Sequence, residues 1–316
     1  VTDADLFLGY LDPHHFLGGA MVLDKAHAKD GMATLAKQLG MSVTQVAFGI
    51  HDIVNESMAA ATRTHAAESG IDLRRYAMIA FGGAGPVHAY ELARKLGLRR
   101  IVCPFGAGVA SAIGCLAAPP SIELATPYFG ALSELDGSLA DARFTDLRER
   151  GKAALVQLIG VRSPVSEHRF VDLRCEGQGY AITIPVPDGV EGLPEATLRA
   201  GYTLRYGEIY GHSPPAVELE VVGLRSRISS TRPGLSFTPL TGSAEGATAP
   251  KTHRPVYFEH AGGYVTTAVY DRHQLHVGET YRGPAIIEER ETSIITGPDT
   301  RFTIDDAANV IIDFAA

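Results

Sequence analysis

From Ser42 to Glu68, apolar residues recur at three- and four-residue spacing: Val43, Val46, Ala47, Ile50, Ile53, Val54, Met58 and Ala61. This spacing predicts one face of a long helix. Ser42 or Thr44 can cap its start and Gly70 can end it. Residues 76–81 are a short continuous apolar run, the pattern of a strand covered on both faces in a parallel sheet. A helix is predicted over 86–96, with proline in its first turn and Gly97 at its exit, and residues 100–103 return as a second strand. Strand, helix and strand within about 28 residues make a minimal βαβ unit, which implies parallel strands and a right-handed crossover. Residues 108–118 form another helix of small apolar residues that stops before Pro119-Pro120.

The pattern then changes. Residues 131–160, with "LADARFTDLRERGKAALVQLIG", have the period of a charged helix. Beyond about residue 164 the chain alternates as strands do, broken by Gly, Pro and Asp turns, with one helix over 193–210. Residues 230–250, "STRPGLSFTPLTGSAEGATAP", are read as a mobile polar loop. No internal repeat is evident.

Composition narrows the class. The 316 residues leave room for two domains, and 45% hydrophobic with 20% charged residues is ordinary for a globular protein. A net charge of -8 argues against nucleic acid or an anionic membrane as the main partner, since both favour a basic face. Cys103, Cys115 and Cys175 lie at scattered spacings without a CxxC, so neither a disulfide framework nor a zinc site is suggested, and a reducing, cytoplasmic setting is expected. No stretch approaches the roughly 18 apolar residues of a membrane span. Val1 stands inside an apparent structural segment, which suggests a piece of a longer polypeptide or a processed chain.

The chemistry-bearing stretch is "FGGAGPVHAYELARKLGLRRIVCP", where Gly82, Gly83, Ala84, Gly85 and Pro86 join the strand to the helix. Glycines there can admit a ligand to the backbone at a helix N-terminus, whose free N–H groups and positive dipole end suit a nucleotide. They can equally serve only to allow positive φ in a tight turn. The spacing is neither GxGxxG nor GxxxxGK[ST], so the usual phosphate cradles are disfavoured.

Several separate stretches resemble the hydantoinase A/oxoprolinase family: "FGGAGPVHAYELARKLGLRRIVCPFGAGVASAIGCLAA", the opening "VTDADLFLGYLDPHHFLGG", "DLRCEGQGY" with Cys175 where an aromatic is usual, and "RPVYF", "VYDR" and "GPAIIEERETSIITGPD" near the end. The resemblance covers nearly the whole chain. It implies an α/β plus β-rich fold: part of an actin/hexokinase/Hsp70-like ATPase domain over 1–125, a helical connector over 126–163, and a β-rich domain over 164–316. It places the glycine loop where that fold approaches the adenosine of ATP, and so implies Gly82, Gly83, Ala84, Gly85, Pro86, His88 and Asn55 as nucleotide-binding residues. The family's phosphate loops do not occur in this sequence and are expected upstream of Val1. Mg2+ is expected to be held mainly by the phosphates and that upstream half.

The implied activity is an ATP-dependent hydantoinase/oxoprolinase-type amidohydrolase. A ketone carboxylase subunit or a non-catalytic assembly subunit are the alternatives. Implied partners are the upstream half of the subunit, a hydantoinase B-type subunit, and a small carbonyl or cyclic amide substrate. No catalytic residue is assigned. His88 can contact a phosphate or substrate, or pack against the strand end; Asn55 can face the ribose or base, while Glu56 reads as an exposed helix polar. Asp3 and Asp5 can orient Mg2+-bound water or a substrate loop, or serve as an N-cap at Asp3 with first-turn charge, the reading preferred here; Arg63 can reach a phosphate or another domain, with a surface ion pair as the default. Neither His14-His15 nor His260, Asp271, His273 and His276 support a metal site. Arg174, Glu176 and Gln178 alternate along an expected sheet edge, Cys175 reads as a structural thiol, and Leu204, Tyr206 and Tyr210 as helix packing.

Overall fold

A computed structural model describes residues 1–160, 164–230 and 248–315. The polar stretch 230–250 lies, over 231–247, outside the described residues. The chain opens with three helices, α1 (Thr2–Leu8), α2 (Lys25–Leu39) and α3 (Val43–Glu68). Ser42 starts α3 through a capping box: its hydroxyl accepts from the Gln45 N–H at 3.2 Å, while Gln45 Oε1 accepts from the Ser42 N–H at 2.9 Å. Next come β1 (Met78–Ile79), α4 (Gly85–Leu96), β2 (Arg100–Cys103) and α5 (Ala110–Ala117). Strands β1 and β2 pair in parallel, Met78 opposite Ile101.

The chain continues through β3 (Ser121–Ala131), α6 (Gly137–Ile159), β4 (Val165–Cys175), β5 (Ile182–Val186), α7 (Glu195–Tyr210) and β6 (Leu219–Ser230). The remainder is β7 (Thr252–Phe258), β8 (Gly263–Asp271), β9 (Thr280–Arg282), β10 (Ala285–Glu288), β11 (Ser293–Thr296), β12 (Thr300–Ile304) and β13 (Val310–Phe314).

Two compact units result, and they do not follow the linear order expected from the sequence. One joins Val1–Gly114 to Ser236–Ala316; the other is Cys115–Leu235. The reason lies in strand pairing. β13 pairs antiparallel with β2, Ile312 opposite Ile101, inside a sheet ordered β1-β2-β13-β12-β9. Alternation predicts a strand at 310–314 but carries no information about its neighbour.

In the first unit a second sheet, β11-β10-β8-β7, shares the work of burying the helices. One core gathers Ile101, Ile287, Phe302 and Ile312 with Ala93 and Leu96 of α4. Another joins Leu8 and Val46 to Tyr90, Phe258 and Ile286. The apolar run 76–81 is not covered on both faces: only two residues pair as β1, at the end of its sheet, and Ile79 and Phe81 are 65% and 51% exposed. Among the described residues no further strand or helix covers them. Along α3 the buried stripe is Ala47, His51, Asn55 and Ala59, whereas Ile53 is 68% exposed.

The second unit is a sheet ordered β3-β6-β4-β5 with α6 and α7 packed on it. Phe144, Leu147, Val171, Leu173 and Tyr202 are buried together. Arg174, near the end of β4, pairs with Glu220 of β6, while Glu176 and Gln178 lie beyond the strand and so do not continue its edge. Arg174 binds Glu220 at 2.7 Å, and Gln178 Oε1 accepts from the Tyr202 hydroxyl at 3.0 Å. Cys175 is buried with its sulfur 3.4 Å from that hydroxyl.

The tightest fit in the first unit is between Tyr90 of α4 and Gly297, where an added Cβ would fall inside the tyrosine ring. Tyr90 stacks on Phe314, with centroids 5.6 Å apart, and donates to Asp299 Oδ1 at 2.5 Å. Gly297→Ala is therefore expected to destabilise the first unit by about 3 kcal/mol, the upper end for overpacking. A shift in the urea unfolding midpoint checks it, and an unchanged midpoint would contradict this packing.

Candidate functional site

Three helices converge beneath the glycine loop. Asp5 of α1, His51 and Asn55 one turn apart on α3, and His88 in the first turns of α4 are 3%, 1%, 0% and 6% exposed. Such polar groups persist in a core only when bonded to one another. His51 Nδ1 lies 2.7 Å from Asp5 Oδ1, and His88 Nδ1 lies 3.1 Å from Asn55 Oδ1. Because both oxygens only accept, both ring nitrogens donate. His88 Nε2 is 3.7 Å from Asp5 Oδ2, and the two imidazoles stack at 4.7 Å with 18° between their planes. Burial pushes the His88 pKa down, with Asp5 pulling it up and His51 pushing it further down. The ring is thus held toward its neutral form. His51 Nε2 and Asn55 Nδ2 are buried without a hydrogen-bond partner.

The loop above has separable glycine roles. Gly82 has φ +90°, a conformation glycine adopts freely. Gly83 receives the β10–β11 turn: Thr292 Oγ1 donates to its carbonyl at 2.9 Å. A Cβ on neighbouring Gly108 would meet the Glu291 side chain at 2.5 Å. Gly85 has neither reason, since its φ is not positive and a Cβ there would meet nothing within 4 Å. Pro86 is buried in the first turn of α4.

Ala84, Gly85 and His88 line a groove of about 640 Å³ whose other walls are mostly apolar, including Met58, Leu73, Ile79 and Phe81. That volume lies within the usual range of small-molecule sites. The N-cap of α4 is Ala84, which has no side-chain cap to offer. Pro86 has no N–H and the Val87 N–H donates to the Ala84 carbonyl at 3.1 Å, so in this first turn it is the Gly85 N–H that remains available to a ligand.

The residues expected at the site divide accordingly. Ala84, Gly85 and His88 face the groove, while Gly82 and Gly83 shape the loop. Asn55 is fully enclosed and holds His88. Asp5 stands in the first turn of α1 and is a buried partner of His51, and the N-cap of α1 is Val1, not Asp3. Glu56 and Arg63 form a surface pair at 2.8 Å. Asp271 accepts from the His273 N–H at 2.9 Å, and His260 bonds the Tyr90 hydroxyl at 2.9 Å. His51 escaped the sequence reading. Its signal was a polar residue at the four-residue step that carries the small residues Ala47 and Ala59.

Residues 1–123 match the family model described as hydantoinase/oxoprolinase, and residues 181–312 that of the hydantoinase/oxoprolinase C-terminal domain. The chain is 32% identical over 96% of its length to an uncharacterized protein of Methanocaldococcus jannaschii, of which it covers 43%. It is 30% identical over 98% of its length to the caprolactamase subunit alpha of Pseudomonas jessenii, of which it covers 45%. The crystal structure of the ATP-dependent caprolactamase from that organism superposes with a TM-score of 0.74 at 29% identity, over the whole of this chain and 47% of the other. The chain thus spans less than half the length of the relatives it matches. No helix among the described residues is long and apolar enough to cross a membrane.

Removing the Asn55 carbonyl leaves a buried His88 N–H without an acceptor. Asn55→Ala is expected to cost about 1–3 kcal/mol, the penalty of an unsatisfied buried donor. Equilibrium unfolding in urea measures it, and wild-type stability in the variant would contradict the assigned bond.

Proposed function

Because this chain belongs to the hydantoinase/oxoprolinase family, we propose that it supplies the nucleoside-binding side of an ATP-dependent enzyme acting on a cyclic amide or a similarly unreactive carbonyl. One observation carries the reading. Gly85 has no conformational or packing reason to lack a side chain, and it stands where an uncapped helix N-terminus meets an apolar groove. Bare backbone at that point suits the close approach of a nucleotide.

The groove residues fit a nucleoside. Met58, Leu73, Ile79 and Phe81 offer apolar surface to a flat base and exclude water from it. The α4 N-terminus presents the Gly85 N–H and the positive end of its dipole to an anionic group. His88, held toward neutrality by burial, keeps its Nδ1 proton on Asn55 and adds no fixed positive charge to the wall. No carboxylate lines the groove, so the groove itself does not fit Mg2+, which prefers hard oxygen ligands.

ATP, when bound, supplies a phosphoryl group able to activate a carbonyl oxygen toward attack. Phosphoryl transfer asks the protein mainly for positioning and charge neutralisation. Loops that grip phosphates and Mg2+ would come from the rest of a longer subunit. A hydantoinase B-type partner would complete the second chemical step. The likeness to a caprolactamase subunit favours a cyclic amide over a ketone as substrate.

Gly85→Val is the discriminating variant, because Gly83→Val would also disturb the β10–β11 turn. ADP and ATP binding, followed by calorimetry on the protein with its copurifying subunits, is expected to weaken by about tenfold or more, or about 1.4 kcal/mol, with an unchanged thermal midpoint. Undiminished nucleotide affinity in Gly85→Val would remove the nucleoside from this groove.

A further inference from the structure

We propose that Asp5, His51 and His88 form a site for one divalent transition-metal ion of the zinc-like, borderline class, separate from any Mg2+ that accompanies a nucleotide. This does not rest on the nucleotide reading. It rests on donor atoms, their lone pairs and their spacing inside the helical core.

One donor atom from each of the three residues lies within 4.8 Å of the other two, and all three residues are buried. Zinc–nitrogen and zinc–oxygen bonds of about 2.0–2.2 Å place tetrahedral donors about 3.4 Å apart. His51 Nδ1 lies 2.7 Å from Asp5 Oδ1 and His88 Nε2 lies 3.7 Å from Asp5 Oδ2, so each histidine approaches its own oxygen of the carboxylate at a distance near that value.

Proton placement supplies the second reason. His88 spends its Nδ1 proton on Asn55 Oδ1, so Nε2 carries a lone pair and faces Asp5 Oδ2. Neither atom has a proton to offer the other. Two lone pairs facing one another in a buried site repel, and a cation shared between them turns that repulsion into coordination. Asn55 then plays the part of the outer partner that fixes a ligating histidine's tautomer and orientation. His51 shows the same economy: Nδ1 donates to Asp5 Oδ1, and Nε2 is buried with no partner. Moving the His51 proton from Nδ1 to the unpartnered Nε2 keeps the ring neutral and frees the Nδ1 lone pair beside Asp5 for the ion.

Two imidazoles and one carboxylate suit zinc, iron, cobalt or nickel better than magnesium or calcium, which prefer all-oxygen shells. Three protein ligands leave one coordination position unfilled in a tetrahedral ion. Of the three ligands, only His88 also lines the groove. The ion would tie α1 to α3 and α4 at the point where α4 delivers the glycine loop.

The test uses the purified protein with its copurifying subunits, stripped with a chelator, exchanged into metal-free buffer and titrated with Zn2+ alone. Elemental analysis after desalting is expected to find one tightly held equivalent that is lost from His51→Gln/His88→Gln. It should persist in His14→Gln/His15→Gln, which removes the other adjacent histidine pair. Because the buried variants can fail to fold, a second measurement stays with the wild type. Co2+ is expected to give visible absorption bands of a low-symmetry nitrogen/oxygen site, and Zn2+ to raise the thermal midpoint with concentration. An equivalent retained by a folded His51→Gln/His88→Gln protein would overturn the proposal. So would a wild type that shows neither the bands nor the stabilisation.

Discussion

The first unit depends on the seating of α4 between two sheets. Its Ala93 and Leu96 enter the core of the β1-β2-β13-β12-β9 sheet, while Val87 and Tyr90 enter that of the β11-β10-β8-β7 sheet. The tolerance is smallest at Tyr90, whose ring occupies the space that a side chain on Gly297 would need. A helix gripped on both sides has one position along its axis. Its N-terminus, and with it the Gly82–Gly85 loop, is therefore set by packing far from the loop itself. The same seating turns His88, two residues before Tyr90, toward α1 and α3.

Inside this packing sits a polar cluster that hydrophobic residues of equal volume could have replaced. Burying a carboxylate and two imidazoles carries a desolvation penalty that their mutual contacts only partly offset. The cluster does not add strength so much as position. Asp5 joins α1 to α3 through His51, and Asn55 joins α3 to α4 through His88, so the three helices share one register. Residues beside the groove inherit that order. The glycines illustrate the division of labour: conformation accounts for Gly82 and close approach of the β10–β11 turn for Gly108, Gly83 touches that turn at ordinary contact distance through its carbonyl, and Gly85 is left to the open groove.

Local elements were legible because their causes are local. Ser42 and Gln45 lie within one turn and cap α3 without help from elsewhere, and Gly97 ends α4 at φ 67° because the left-handed region is open to it. Residue pattern also separated the helix over 137–159 from the strands that follow. Faces were harder. The apolar face inferred for α3 included Ile53, which is exposed, and omitted His51 and Asn55, which are buried. Periodicity counts apolar residues, but the buried stripe is chosen by what packs there, and a hydrogen-bonded polar pair can occupy it.

The amino-acid sequence by itself determined the helices α3 to α7, the parallel β1–β2 pairing and the glycine-rich turn, since capping, side-chain period and backbone freedom act over a few residues; α2 was not read from it. Its family resemblance reached further, to the likeness that two separate stretches of the chain share with known proteins. Only the tertiary structure decided that β13 closes against β2 across more than half the chain, that the central segment 115–235 forms its own unit, and that Asp5, His51 and His88 meet. These depend on contacts between residues remote in the chain, and a linear pattern specifies which side chains want burial without specifying beside whom.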